Sequence, residues 1–425
     1  MRHHPRVRIA CAQLAAFDLA DAARAHAAAL DAIAAAGAAG AEVCLLPEGT
    51  YPAYVLGSVG AARAALADGP DPLATFGAAA RDARLELVVG LVLDRPEGLL
   101  NAAVHFAPDG TVRGFAAKRF LWHFDHAWFV PGGAAPVHDR IATLVCADGR
   151  LPEIATDLVA RGATLLLNST AWVTPVAPPE GSNPQADFLW RVRALEHGVV
   201  AAAATKVGTE AATTIYSGGS QIVAADGTVV AMASSTEPEL LVADVDVPTT
   251  PRRQVVPFTH DGAPRRPPLR GDVAHVVIVS DDELDAALTG HDARVVVGPR
   301  GVHRAGDVHV VELRDDAALD PGPPRLAALG GAEVLAWIAR SVDTPFVEAV
   351  ARTRALENRV FVAVWRPLDR GGPFLVHPSG RVMARTPAHV ARFAVGAPCF
   401  LAEAATKEMA PGTDAWDGVV ALGEA

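Results

Sequence analysis

The sequence predicts an α/β protein, and three observations carry that prediction. Short apolar runs alternate with Ala-rich helical stretches from the first residues onward, 51% of the 425 residues are hydrophobic, and 20% are charged. A chain of this length and composition can bury one large core or two ordinary ones.

"VRIACAQ" reads as the first strand, Leu19 to Ala36 as a helix ended by Gly37, and "EVCLLPE" as the next strand. "LELVVGLVL" follows as a strand, and "NAAVHFAPDGTVRGFAAKRFL" as a hairpin turned at Asp109 and Gly110. "RIATLVCA" is a further strand, and Pro152 to Arg161 a short helix closed by Gly162. "TLLLNST" then gives a strand, "ADFLWRVRALEHG" a helix, "VVAAAAT" a strand, and "GGSQIVAADGTVVAMAS" a second hairpin.

From Asp246 to Asp272 the composition turns Pro- and Arg-rich, which suits a linker or an extended strap. The expected organisation is a domain over 1–250, a strap over 251–271 and a smaller domain over 272–425. Beyond the strap the chain reads as an internal repeat. "GATLLLNSTAW" and "WRVRALEHGVVAAAAT" are echoed by "GAEVLAWIARS" and "VARTRALENRVFVAVW". "SQIVAADGTVVA" is echoed by "PFLVHPSGRVMA", with Gly227 matching Gly380.

A net charge of -11 argues against a phosphate-backbone binder, so no nucleic acid is expected. The basic start "MRHHPRVRIACAQ" is followed by Gln13 and Asp18, which interrupt an apolar leader too early, and no segment is long and apolar enough for a membrane span. A cytoplasmic protein without a membrane partner is expected. Cys11, Cys44, Cys146 and Cys399 show no Cys-X-X-Cys spacing, so neither a disulfide framework nor a zinc site is predicted.

Three of the cysteines read as small core hydrophobes. Cys146 differs by position: "TLVCADGRLPEI" puts it at the end of a strand and just before a helix N-terminus, where backbone N–H groups and the helix dipole favour a thiolate. A nucleophilic cysteine needs a base and a group that holds an oxyanion. Glu48, in the tight "PEGTYPAY" loop at the end of a strand, suits a partly buried base, with a solvated loop carboxylate as the alternative. Lys118 is one of only three lysines in a chain that otherwise uses Arg, and its compact ammonium suits a crowded reaction centre.

The order Glu, Lys, Cys, each at a strand terminus, resembles the nitrilase superfamily of carbon–nitrogen hydrolases. The resemblance rests on "LLPEGTYPAY", "AAKRFLWHFDHAWFVPGG" and "LVCADGRLPEI", with "RALEHGVVAAAATKVG" and "GGSQIVAADGTVVA" as later landmarks, and spans residues 5–250. It implies a four-layer αββα sandwich. It also implies that Glu48 is the general base, Cys146 the nucleophile and Lys118 the oxyanion donor, helped by the backbone N–H of Ala147. The implied reaction forms a Cys146 thioester from an amide or carbamoyl compound, releases ammonia or amine, and ends in hydrolysis, with no metal or organic cofactor. Ala147 and Asp148 after the nucleophile resemble the amidase and carbamoylase branches rather than the true nitrilases.

Several positions depart from the family pattern. The second glutamate that many members carry after the lysine is replaced here by Asp125 or His126, with Asp125 the preferred substitute and a turn cap its alternative role. His123 and His126, among Trp122, Phe124 and Trp128, read as structural or substrate-contact histidines rather than metal ligands, because no third ligand lies nearby. Tyr54 and Trp172 are the other expected pocket residues. Arg150 has two open uses, a bidentate clamp on a substrate carboxylate or a salt bridge to Glu153. Lys206 stands where the family often has Asn, without a physical account from sequence.

The second half has no lysine between Lys206 and Lys407 and no cysteine in "DVHVVELRDDAALD", so it reads as a trimmed, noncatalytic nitrilase-like half. Either a homodimer or an intrachain pseudo-dimer through this half is expected. The competing functions are a noncatalytic scaffold of the same fold, an enzyme that passes the acyl group to an amine, and a nitrilase.

Overall fold

The computed structural model describes residues 6–174, 183–253, 256–258, 274–279, 284–289, 295–306, 308–342, 345–385 and 393–395. The chain divides into two compact units, Met1–Pro257 and Phe258–Ala425. Most of the 251–271 strap, and Cys399, lie outside the described residues.

In the first unit the strands are β1 (Arg6–Ala15), β2 (Val43–Leu45), β3 (Glu86–Arg95), β4 (Gly98–Phe106), β5 (Val112–Ala117), β6 (Val137–His138), β7 (Ile141–Val145), β8 (Leu165–Ser169), β9 (Val173–Thr174), β10 (Val200–Ala204), β11 (Lys206–Glu210), β12 (Thr214–Ser217), β13 (Gln221–Val223), β14 (Val229–Met232) and β15 (Glu239–Asp246). The helices are α1 (Ala22–Ala38), α2 (Val59–Asp68), α3 (Pro72–Ala83), α4 (Pro152–Ala160) and α5 (Trp190–His197).

One sheet runs β5-β4-β3-β2-β1-β11-β12-β9, with β15 also paired to β1, and the other runs β14-β13-β10-β8-β7-β6. Strands of the two sheets face each other, β4 against β7 and β1 against β10, while α1 and α3 cover the first sheet and α4 and α5 pack beside the second. The result is the four-layer αββα sandwich. A strand covered on both faces must be apolar on both, which is why "VRIACAQ" does not alternate. Along β1, Ala10 and Ala12 join Ala29, Ile33 and Ala36 of α1 in one core, while Cys11 points the other way and donates to the Ala203 carbonyl at 3.1 Å. Cys11 and Cys44 are buried free thiols in this packing.

Some local boundaries shift for tertiary reasons. Gly37 does not end the first helix, which runs on to Ala38. A Cβ at Gly37 would stand 2.8 Å from the Ala83 Cβ, so this glycine permits the close approach of α1 and α3. The helix expected through 186–198 begins as a π-type turn, Gln185–Leu189, and becomes α-helical at Trp190.

The second unit contains β16 (Ala274–Ile278), β17 (Val295–Gly298), β18 (Gly301–Arg304), β19 (Val310–Arg314), β20 (Val334–Ile338), β21 (Phe361–Trp365), β22 (Phe374–Val376), β23 (Val382–Arg385) and β24 (Phe393–Val395), with helices α6 (Leu284–Thr289), α7 (Gly322–Leu329) and α8 (Val347–Asn358). Its sheet β19-β20-β21-β22-β23 shares the strand senses of β7-β8-β10-β13-β14: two parallel pairs, then two antiparallel ones. The final pair is irregular at Ile222/Val223 in one unit and at Leu375/Val376 in the other.

Side chains match as well. Arg193 donates to the Gly149 and Arg150 carbonyls and pairs with Glu196, while Arg354 donates to the Ala318 and Leu319 carbonyls and pairs with Glu357. The recurring "RALE" thus encodes a buried arginine that ties its helix to the turn after the first strand. Arg191 and Arg352 likewise donate to the carbonyls of Gly227 and Gly380.

Candidate active site

Glu48, Lys118 and Cys146 reach one place because three strand ends do. Glu48 follows β2 in a loop whose backbone is stitched to β3: the Gly90 amide donates to the Pro47 carbonyl at 3.2 Å, and the Thr50 amide to the Gly90 carbonyl at 2.8 Å. A Cβ at Gly90 would lie 2.2 Å from the Pro47 oxygen, so only glycine lets the loop lie this close. Lys118 follows β5, its amide donating to the Asn101 carbonyl at 2.8 Å.

The Lys118 ammonium sits between two carboxylates, 2.7 Å from Glu48 Oε1 and 2.5 Å from Asp125 Oδ2, and the charged groups of all three are fully buried. Burial opposes the ammonium's charge, but Asp125 and Glu48 outweigh it and hold Lys118 protonated well above the ordinary lysine range. Burial pushes the Glu48 carboxyl up; Lys118 pulls it back, Asp125 pushes it up again, and hydrogen bonds from Lys118 and Asn101 pull it down. The net displacement is upward, toward a carboxylate that can both take and return a proton. Glu48 Oε2 is buried with no hydrogen-bond partner among the described residues.

Cys146 opens a 3-10 turn, Cys146–Arg150, directly after β7. Its φ of 44° is left-handed, a conformation that a non-glycine residue holds only when its surroundings impose it. Burial pushes its thiol up to about 12, with the Glu48 charge adding to the shift and Lys118 opposing it. The helix end expected to favour a thiolate starts only at Pro152, and burial acts on the thiol in the opposite sense.

Asp125 and His126 lie in the 3-10 turn His123–Ala127, and the structure separates them. Asp125 turns inward onto Lys118, whereas His126, the next residue around the turn, is exposed. His126 is therefore not among the buried groups around Lys118. The side chain of His123 lies outside what the structure describes.

Tyr54 is buried with its ring centroid 5.6 Å from the Lys118 ammonium, and Asp125, Glu48 and Cys146 all add to the upward displacement that burial gives its phenol. Phe124 packs on that ring at 5.3 Å. Arg150 is half-buried in the same turn as Cys146; desolvation lowers its pKa, and the charges of Cys146 and Tyr54 act to raise it. Ala147 and Trp172 are each 2% exposed. The buried hydroxyl of Tyr54 and indole Nε1 of Trp172 have no hydrogen-bond partner among the described residues. No group of three or more His, Cys, Asp or Glu side chains suited to a metal occurs among the described residues.

Two contributors were missed from sequence. Asn101 donates to Glu48 Oε1 at 2.7 Å; its signal was one amide inside the apolar run "LLNAAV". Asp148 accepts from the Phe120 amide at 2.8 Å and the Arg119 amide at 3.1 Å, tying the Cys146 turn to the segment after Lys118.

The carbon-nitrogen hydrolase model matches residues 8–253, more than half of the chain. The chain belongs to the carbon–nitrogen hydrolase family, that is, to the nitrilase superfamily. A nitrilase from Pyrococcus abyssi is 31% identical over 173 residues, which are 40% of this chain and 62% of that protein, so this carbon–nitrogen hydrolase spans less than two thirds of that relative. Among solved structures, an amidase from Nesterenkonia sp. matches with a TM-score of 0.50 and 30% identity over 59% of this chain and 93% of the amidase. A mutant of the amidase from Nesterenkonia sp. AN1, with the acetamide moiety of fluoroacetamide added covalently at its active site cysteine, matches with a TM-score of 0.50 and 29% identity over 59% of this chain and 92% of that one. No helix among the described residues of this family member is long and apolar enough to cross a membrane.

Proposed function

We propose that the first unit hydrolyses a small amide or carbamoyl compound through a Cys146 thioester, releasing ammonia or an amine. One observation carries this reading: a buried ammonium shared by Glu48 and Asp125, near a buried thiol held in a left-handed turn. A lone carboxylate–lysine pair would serve as structure, but the unpartnered Glu48 Oε2 leaves one oxygen to act.

Glu48 takes the Cys146 proton as sulfur attacks the carbonyl carbon. Lys118 and the Ala147 N–H hold the oxygen that becomes negative. Glu48 then returns the proton to the departing nitrogen, the C–N bond breaks and the thioester remains. A water deprotonated by Glu48 attacks that thioester, and Cys146 leaves with the proton. Asp125 takes the place of the family's second glutamate by keeping Lys118 charged. Tyr54 and Trp172 offer polar atoms to the substrate.

The second unit serves this reading as a noncatalytic copy. Asp315 follows β19 as Cys146 follows β7, with φ 43°, and its carboxylate is engaged by the Ser341 amide at 2.9 Å and the Ser341 hydroxyl at 2.6 Å.

The test is intact-protein mass spectrometry of wild type, Cys146→Ala and Asp315→Ala after brief incubation with small amides, ureido acids and nitriles, with ammonia measured in parallel. The expected result is an adduct with ammonia release that Cys146→Ala abolishes and Asp315→Ala leaves intact. Ammonia release that survives Cys146→Ala would defeat the reading.

A further inference from the structure

The loop that carries Glu48 and Tyr54 is gripped from β11 by a buried ion pair. The Lys206 ammonium donates to the Gly49 carbonyl at 2.8 Å and lies 3.1 Å from Glu210 Oε2. Glu210 Oε1 accepts from the Tyr54 amide at 2.8 Å and the Val55 amide at 2.6 Å, and Oε2 accepts from the Tyr216 hydroxyl at 2.6 Å. Both side chains are buried, Lys206 at 3% and Glu210 at 0% exposure.

Packing alone does not fix this side of the loop. A cavity of about 10 Å³, about one water in size, lies between Leu14, Ala15, Gly49, Thr50, Ala53 and Lys206. A buried ion pair is also a poor way to gain stability, because desolving two charges consumes most of their attraction, and well-packed apolar residues often do as well. What apolar residues cannot do is hold two amides and a carbonyl of one loop at fixed points. The carbonyl belongs to the residue after the base, and one amide belongs to the aromatic residue beside Lys118.

We propose that Lys206 and Glu210 are positioning residues: together they hold the 49–55 backbone so that Glu48 stays on Lys118 and within reach of the Cys146 thiol. This rests on the reading of Glu48 as the base for Cys146. The ammonium fixes the near end of the loop and the carboxylate the far end. Tyr216, through its hydroxyl, sets the angle of the carboxylate that does so.

The test follows alkylation of Cys146 by iodoacetamide across pH, read by intact mass, in wild type, Glu48→Gln, Lys206→Met and Lys206→Met/Glu210→Gln. The double variant keeps an acceptor oxygen for the loop amides and buries no unbalanced charge, so it stays informative if Lys206→Met fails to fold. The expected result is slow alkylation in Glu48→Gln. In the double variant the rate falls at least tenfold, toward the ~10²-fold that a misplacement of ~1 Å costs, and the acid limb of the profile moves up in pH as Glu48 loses the Lys118 contact. A wild-type rate, or a lower rate with an unmoved limb, in the double variant while Glu48→Gln is slow overturns the clamp alone. An unaffected Glu48→Gln overturns the base role of Glu48, and the clamp with it.

Discussion

Asparagine at position 125 removes one of the two charges that share the Lys118 ammonium and keeps the shape of the side chain. In the native site Asp125 Oδ2 lies 2.5 Å from Lys118 Nζ and accepts from the Trp122 amide at 2.9 Å, and Glu48 Oε1 lies 2.7 Å from the same nitrogen. Two oxygens on one nitrogen place the carboxylates roughly 4 Å apart, where unit charges interact by about 4 kcal/mol at an effective dielectric near 20. Removing the Asp125 charge therefore shifts the Glu48 carboxyl. The sign is downward: burial and the Asp125 charge both push the Glu48 carboxyl up, and Asp125→Asn deletes the second while leaving Lys118 to Glu48 alone. Because the Cys146 thiol is pushed up to about 12, its reactivity at neutral pH follows the ionisation of Glu48. The acid limb of iodoacetamide alkylation therefore moves to lower pH, and turnover falls because the base has become weaker. A limb that stays in place or moves up refutes the reasoning, since the Asp125 charge would then not be felt at Glu48.

Asn101→Leu removes a donor that stabilises the Glu48 carboxylate, so the same alkylation profile moves to higher pH, opposite in sign to Asp125→Asn. Arg193→Met strips the buried Glu196 of its guanidinium partner and the Gly149 and Arg150 carbonyls of theirs, a loss of about 3 to 5 kcal/mol in urea unfolding, part of which Glu196→Leu restores in the double variant. An undiminished midpoint would show that the arginine does not hold the turn. Burial raises Asp148 from 3.8 to about 6, so between those values the folded protein binds the extra proton and loses stability as pH rises. Relative to Asp148→Asn, wild type is expected to lose about 3 kcal/mol across that window, and parallel stability curves for the two proteins would contradict this.

The convergence of Glu48, Lys118 and Cys146 was legible because each lies just past the end of a strand, and the ends of neighbouring strands meet at one rim. The choice between Asp125 and His126 was not legible: adjacent residues in a turn face different ways, and only the path of the turn decides which one meets the lysine. Lys206 carried no meaning in sequence because its partner Gly49 lies 157 residues away. Asn101 and Asp148 act on residues 53 and 28 positions distant, through bonds that no local pattern encodes.

By itself the sequence determined the alternation of strands and helices, the apolar runs of strands covered on both faces, and the recurrence of "RALE" with its glycine-turned hairpins, since these are properties of nearest neighbours and of hydrophobic period. The tertiary structure decided the charge state of the site and the side chains that hold it. Burial depends on everything packed around a group, and a thiol at a strand end is a thiolate or a thiol according to how much water the two sheets leave it.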